Sequence, residues 1–387
     1  MKRESDGKTM SMKILFATST LFPYRVDWLN EMGKYAKVDI FYLLDNDEAR
    51  NSKWMSKRPE NCRYTLMKGI ELPRIGKISL EFIRYVRKHG KEYDAILLDG
   101  YGFSTQLLNI WYLNCHHYNY YVNIDGMVYN EKEKSYINYI KKKIISKFPY
   151  CLSGSKATNK ILNQYGVPNN RIINHPFTSL YKNDIYSDIA SLKEKEKLRY
   201  ELGITEEKMI ISVGRFSYMA GYGKGYDVLL RAAQKLEKNI GWYIVGGKPT
   251  EEFVRLTKEA GLKNVHYVEF LSKEDLKKYY RAADLFCLMT VSDVWGLVIN
   301  EAMACGLPII TTNKCVAGLD LVLNGENGYL VNVGDDTTLA NYIYYLFSNQ
   351  KLLTNMSRVS LQLIQSYTIE NMATIHLQAI NTINNIG

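Results

Sequence analysis

The sequence predicts an α/β protein made of two doubly wound domains that face each other across a cleft. Three observations carry this. Continuous apolar runs, rather than alternating ones, recur from residue 13 onward with helical patterns between them, as parallel strands covered on both faces require. The rhythm pauses and then restarts after residue 200. The length, 387 residues, suits about two domains.

In the first half, KILFATST (13–20) reads as a buried strand and VDWLNEMGKYA as the helix behind it. KVDIFYLL (37–44), YDAILLDG (93–100) and YYVNID (120–125) continue the series. The second half opens with the strand MIISVGRF (209–216) and the helix YDVLLRAAQKLEK, then GWYIVGG. The strand VHYVEFL (265–271), the helix KEDLKKYYRAA, and the strands DLFCLMT (284–290) and GLPIITT (306–312) follow. Between the halves, SDIASLKEKEKLRYELG (187–203) is charged and weakly apolar, a linker plus a first helix. The expected layout is a disordered extension at 1–12, a first domain at 13–186, the linker at 187–203 and a second domain at 204–365. A last helix at 366–387 is expected to pack back on the first domain.

Composition narrows the function classes. Hydrophobic residues at 46% and charged residues at 23% are ordinary for a globular chain and exclude a disordered or fibrous one. The formal charge of +10 favours anionic partners. A nucleic-acid binder would need its cations in stripes with exposed aromatics, whereas Lys and Glu interleave here, so no nucleic acid is expected. Tyrosine is abundant at 31 residues, which suits core packing, sugar stacking or a membrane interface. The cysteines at 62, 115, 151, 287, 305 and 315 form no CxxC pair and read as small buried hydrophobes in a reducing compartment. The first twelve residues lack an apolar signal run and no stretch reaches 18 apolar residues, so a cytoplasmic location is expected.

In open α/β sheets, ligands bind beyond the carboxyl ends of strands, so the site is expected in the cleft. SDVWGLVINEAMACGLPIITT (292–312) places Asp293 in the loop after a strand and Glu301 one turn into a helix that begins near Gly296. Side chains lean toward a helix N-terminus, so Glu301 is expected to reach back toward the mouth that Asp293 occupies. Amides at 296–298 favour a phosphate, and the carboxylates accept bonds from neutral hydroxyls. A nucleotide-sugar offers both chemistries. The competing reading has Asp293 as a helix cap and Glu301 as a solvated helix residue. In SVGRFSYMAGYGKGYDVLL a strand ends at Gly214-Arg215 and a glycine-rich loop leads to Lys224. Both cations would stand beside a helix N-terminus, suited to neutralising a diphosphate. The alternative is a loop with two surface cations.

Together, VGRF…KGYDVLLRA, IVGG, VHYVEFLSKEDLKKYYRAADLFCL, SDVWGLVINEAMACGLPIITT and NGENGYLV resemble glycosyltransferase family 4, the retaining group with the GT-B fold of two Rossmann-like domains. The resemblance covers residues 205 to 335. It implies that Arg215 and Lys224 hold the donor diphosphate, with Gly214 and Gly246 beside it. Glu301, the second acid of the E-x7-E motif, would bind the ribose, and Asp293, the first, the transferred sugar. Backbone groups at Trp295, Gly296, Leu297 and Val298 would contact sugar and phosphate, and Phe270-Leu271 would lie near the nucleobase. The implied donor is a UDP- or GDP-sugar, with no cofactor and no metal, the cations replacing a divalent ion. Two features depart from the family: Asp293 is one methylene shorter than the usual Glu, and SYMAGYG lengthens the loop between Arg215 and Lys224.

The first half is where such enzymes take the acceptor, here expected to be a glycan or a lipid-linked oligosaccharide of bacterial surface polysaccharide synthesis. TSTLFPYRVDW carries Tyr24-Arg25 where the family has a glycine pair. Asp125, with Gly126 at the end of a strand, would orient the acceptor hydroxyl or face the reacting carbon, unless it is a plain Asp-Gly turn. His175 reads as a backbone-positioning residue rather than a base. EKEKSYINYIKKKIISKFPY (131–150) sets Ile137, Ile140, Ile144 and Phe148 on one helical face among six lysines. That pattern suits either an anionic membrane surface, with the protein peripheral on it, or a packed helix. An epimerase of the same architecture, acting on a nucleotide-sugar alone, and an inactive scaffold are the rival readings.

Overall fold

A computed structural model describes residues 12–44, 57–128 and 134–384. The expected extension at 1–12 lies almost wholly outside the described residues. The first half runs β1 (Lys13–Thr20), α1 (Pro23–Met32), β2 (Lys37–Leu44), β3 (Arg63–Leu66) and a hairpin of β4 (Ile70–Leu72) and β5 (Gly76–Ile78). It continues α2 (Glu81–His89), β6 (Ala95–Asp99), α3 (Ser104–Cys115), β7 (Tyr121–Ile124), α4 (Ser135–Ile145), β8 (Tyr150–Ser153), α5 (Lys156–Gln164) and β9 (Ile172–Asn174). The second half begins with α6 (Leu192–Leu202), β10 (Lys208–Val213), α7 (Tyr226–Ala233), β11 (Ile240–Val245), α8 (Glu251–Glu259) and β12 (Val265–Val268). Next come α9 (Lys273–Ala282), β13 (Leu285–Leu288), α10 (Leu297–Ala304), β14 (Ile309–Thr312), α11 (Val316–Leu321) and β15 (Gly328–Val331). Three helices close the described chain: α12 (Asp336–Phe347), α13 (Gln350–Ile364) and α14 (Ile369–Asn384).

Each half is a parallel sheet: seven strands in the order β3-β2-β1-β6-β7-β8-β9, and six in the order β12-β11-β10-β13-β14-β15. The cause lies in the strand sequences. β1 buries seven consecutive residues after Lys13, and β11 buries all six, so neither face of either strand meets water. Strand order reverses between β1 and β6 in the first sheet and between β10 and β13 in the second. These are the points at which an α/β sheet opens a crevice at its carboxyl edge.

Three departures from the sequence reading have simple origins. Six strands escaped it (β3, β4, β5, β8, β9 and β15), each only three or four residues long, with β3 and β4 wholly exposed. α1 starts at Pro23 rather than Val26, because proline's fixed φ suits the first helical position. Ile145 at the end of α4 and Phe148 just beyond it turn into the core, and Ile140 does not: it is 52% exposed.

The halves are tied together in two places. The segment leaving the first sheet crosses to the second, where Phe177 meets Trp295 edge-on at 5.4 Å and its carbonyl accepts a bond from Asn300 at 3.1 Å. α14 then returns to α1: His376 lies 4.7 Å from the Trp28 ring, and Asn384 donates to the Asp94 carbonyl at 3.0 Å. One core cluster consequently holds residues of both halves, Ile14 and Trp28 together with Val213 and Trp295.

Candidate active site

The two reversal points deliver different chemistry. At the first, Thr18 lies near the end of β1, Asp99 ends β6 and Asp125 follows β7. Arg25, from the first turn of α1, lies between the two acids, 2.9 Å from Asp99 and 2.7 Å from Asp125. Its side chain is only 2% exposed, a burial that a guanidinium tolerates when carboxylates surround it. The Tyr24 hydroxyl donates to Asp125 at 3.1 Å and the Asn123 amide at 3.3 Å, so Asp125 is held from several sides. Thr18 donates to Asp99 at 2.6 Å. Burial nevertheless dominates at Asp99 and lifts its pKa to about 6, against the lowering effect of Arg25. Tyr24 and Arg25, standing where a glycine pair was the family pattern, form the clamp on Asp125.

At the second reversal point, Lys224 and Asp293 form an ion pair at 2.7 Å, with both side chains less than a fifth exposed. Lys224 belongs to the loop after β10 and Asp293 to the loop after β13, so adjacent strand tips supply the pair. The Gly214 backbone passes against the Lys224 stem: a Cβ there would lie 3.0 Å from Lys224 Cγ. A Cβ on Gly246 would in turn sit 2.5 Å from the Gly214 carbonyl oxygen. Arg215 is next in the chain after Gly214. The lengthened loop folds back on itself, with Tyr218 placed 5.7 Å from Lys224 Nζ. Gly296, at φ 102°, caps α10 in the left-handed region, which lets Leu297 and Val298 open the helix directly behind Asp293.

Glu301 lies in α10, one turn past its start. Its oxygens accept bonds from Ser179 at 3.4 Å and Tyr280 at 3.2 Å. Desolvation raises its pKa, with Lys273 and the two hydroxyls acting against the rise. Asp293 does accept a bond from the Trp295 amide at 3.3 Å, but as a loop contact ahead of the helix. The Trp295 side chain is structural, donating to Asn300 at 2.9 Å. Phe270 is 48% exposed, and Leu271 packs partly against the core. His175 is buried, its ring lies 4.4 Å from that of His376 at a tilt, and desolvation lowers its pKa.

The two halves meet beside Asp125. Asp99, Asp125, Gly126, Lys141 and, from the second half, Val294 line a cavity of about 450 Å³. Gly126 lies so close to the Val294 carbonyl that a Cβ would stand 1.6 Å from its oxygen. Val294 follows Asp293 directly in the chain, while the Lys224–Asp293 pair itself is not among the residues that line the cavity. Sequence reasoning missed Asp99, Thr18, Ser179 and Tyr280. Asp99 had a signal: LLDG repeats the strand-then-Asp-Gly pattern that identified Asp125 in NIDG. Ser179 had none, since it reaches Glu301 from 122 residues away. Among the described residues, no group of three or more His, Cys, Asp or Glu side chains could hold a metal ion.

Comparison with known proteins adds two findings. Residues 194–360 match the family model of the glycosyl transferases group 1. An uncharacterised glycosyltransferase of Haemophilus influenzae is 34% identical over 178 residues, 44% of this chain and 48% of that protein. The N-acetyl-alpha-D-glucosaminyl L-malate synthase of Bacillus anthracis is 33% identical over 172 residues, 42% of each chain. The chain thus spans less than half the length of these relatives. By structure, Anabaena HepE, solved with UDP and glucose, aligns with a TM-score of 0.72 at 19% identity, covering 97% of this chain and all of that one. Sucrose-phosphate synthase from Thermosynechococcus elongatus aligns with a TM-score of 0.74 at 19% identity and the same coverage. The fold is GT-B.

Proposed function

We propose that the protein is a group 1 glycosyltransferase that moves a sugar, with retention, from a nucleoside-diphosphate sugar to a hydroxyl of a glycan or lipid-linked acceptor. It needs no metal, and its setting is cytoplasmic synthesis of surface polysaccharide. The observation that carries this reading is the Lys224–Asp293 pair at the β10/β13 crevice, set against Asp125 and Gly126 across the cleft. The match of residues 194–360 to group 1 supports the reaction class. HepE, which shares the fold, was solved with UDP and glucose, and that supports the donor class.

The barrier in this reaction is separation of an oxocarbenium-like sugar from a diphosphate. As the bond from the anomeric carbon to the phosphate oxygen breaks, negative charge grows on the leaving group. Lys224, Arg215 and the amides that open α10 stabilise it, and loss of one such contact costs about 10²–10³ in rate. Before donor arrives, Asp293 neutralises Lys224. A diphosphate competes for that cation and releases Asp293 to accept hydroxyls of the sugar. Glu301, desolvated and held by only two hydroxyls, has lone pairs to spare for the ribose diol. Asp125, fixed by Arg25, Tyr24 and Asn123, orients the acceptor hydroxyl. The new bond forms between that oxygen and the anomeric carbon, and the departing phosphate takes the proton.

Glu301→Ala and Arg215→Ala should each abolish binding of UDP or GDP and their sugars in calorimetry, with or without chelator. Unchanged affinity in both variants overturns the assignment.

A further inference from the structure

The lengthened loop between β10 and α7 holds a conformation that its own residues do not favour. Met219 and Ala220, at φ 48° and 52°, stand in the left-handed region, where a Cβ crowds the following carbonyl. Two such residues in succession persist only where the surroundings impose them, and strain of this kind gathers at functional sites. The Gly223 carbonyl is pinned by the Thr290 hydroxyl at 2.9 Å and the Val291 amide at 3.1 Å, both of which donate to it. Tyr222 donates to Glu252 at 2.9 Å, and its ring centre lies 5.1 Å from that of Phe253. Gly221 passes so close to Phe216 and Phe253 that a Cβ would stand 2.9 Å from an atom of each ring.

These constraints fix the place of Tyr218. Its ring rests on the Gly223 backbone, where a Cβ would lie 2.3 Å from a ring carbon. The ring centre is 5.7 Å from Lys224 Nζ, and the hydroxyl donates to the Ser292 carbonyl at 3.5 Å. Ser292 precedes Asp293, whose carboxylate pairs with Lys224. Tyr218 thus stands beside both members of the pair. Tyr222 packs against the core of the second half, and Tyr218 is not among the residues that do. The ring is held at the site without serving the core.

We propose that Tyr218 walls the subsite of the transferred sugar and that this subsite selects an uncharged sugar. The inference rests on the reading of Lys224 and Asp293 as donor groups. Once a diphosphate takes Lys224, what is left at this end of the site is electron-rich: the Asp293 carboxylate, the Ser292 carbonyl and the negative face of the Tyr218 ring. Sugar hydroxyls donate to the carboxylate, and the C–H face of a pyranose packs on the ring. A sugar acid would bring a second carboxylate toward the first, and the two repel where bulk water is excluded. The two departures from the family pattern then belong together. The acid is a methylene shorter, and the longer loop supplies a ring that narrows the same subsite.

The test is calorimetric titration of the full chain with a nucleotide, its hexose and its uronate. The set is UDP, UDP-glucose and UDP-glucuronate, or GDP, GDP-mannose and GDP-mannuronate where GDP binds more tightly. Wild type should bind the neutral sugar nucleotide at least about tenfold more tightly than the uronate. Tyr218→Ala should lower affinity for the neutral sugar nucleotide, relative to the bare nucleotide, by about three- to tenfold. Tyr218→Phe keeps the ring and should keep the wild-type ratio. The ratio is the readout because a general disturbance of the loop moves both affinities together. Tyr218 is partly exposed, so the melting temperatures of both variants should match wild type. A ratio unchanged in Tyr218→Ala, a ratio lost equally in Tyr218→Phe, or a uronate bound as tightly as the neutral sugar overturns the inference while donor binding stands. Wild type that binds neither nucleotide overturns the donor reading instead, and the inference falls with it.

Discussion

Asp99 and Asp125 share one guanidinium, and in the proposed reaction that sharing makes the first-half side of the cleft sensitive to pH. Burial raises the Asp99 pKa from 3.8 to about 6 despite Arg25 at 2.9 Å. When Asp99 takes up a proton it releases its half of Arg25, which then pairs with Asp125 alone and withdraws that carboxylate from an acceptor hydroxyl. Turnover should therefore fall as pH drops through about 6, and Asp99→Asn should show a low but flat profile over that range, read as kcat/KM for the acceptor. Stability moves the other way. The folded pKa lies above the unfolded one, so between 3.8 and about 6 the folded state binds more protons and gains stability as pH falls. Melting temperature and turnover of wild type, each compared with Asp99→Asn, should diverge on acidification; a parallel fall would contradict the assignment. At this scale the sequence was partly readable. Asp125, Lys224 and Asp293 stand at strand tips in short patterns, and Lys224 and Asp293 pair at 2.7 Å. Tyr280 and Ser179 satisfy Glu301 from other elements, 21 and 122 residues away, and no local pattern announces such a contact.

Among elements, long buried strands were legible because burial on both faces writes an unbroken apolar run, as in KILFATST and GWYIV. β3, with all four residues exposed, and the three-residue β4 and β5 lack that signal, since backbone pairing to a neighbour leaves no trace in side-chain hydropathy. α14 illustrates an element whose role is visible only in place. It buries Ile369, Met372, Ala373, His376 and Ile380, and meets α1 through the Trp28–His376 contact. Because one core cluster runs from α14 through α1 into the second half, loosening α14 should weaken both halves together. Ile380→Ala, at a fully buried position, is expected to cost about 2–5 kcal/mol. Urea unfolding followed by fluorescence and by circular dichroism should show a single shifted transition. Two separated transitions would mean that α14 serves the first half alone.

For the molecule as a whole, the question is how a site divided between two sheets becomes one site. The groups proposed for the donor lie on the second half and those proposed for the acceptor on the first, and at the cavity the Gly126 backbone meets the Val294 carbonyl. Any side chain at 126 would overlap that oxygen, with its Cβ 1.6 Å away, and the neighbour is backbone, which cannot rotate aside. Gly126→Ala must therefore hold the tips of β7 and β13 apart without touching Lys224, Arg215 or Glu301. Calorimetric donor affinity should stay within about twofold of wild type, because the donor contacts remain on one rigid half. Transfer to acceptor should drop by about 10²-fold, since a displacement on the order of 1 Å between reacting groups is enough for a loss of that size. Water would gain access to the gap, so hydrolysis of the donor should rise relative to transfer. A variant that loses donor affinity and transfer in equal proportion would instead show that the two halves bind donor jointly, and the division of labour across the cleft would have to be redrawn.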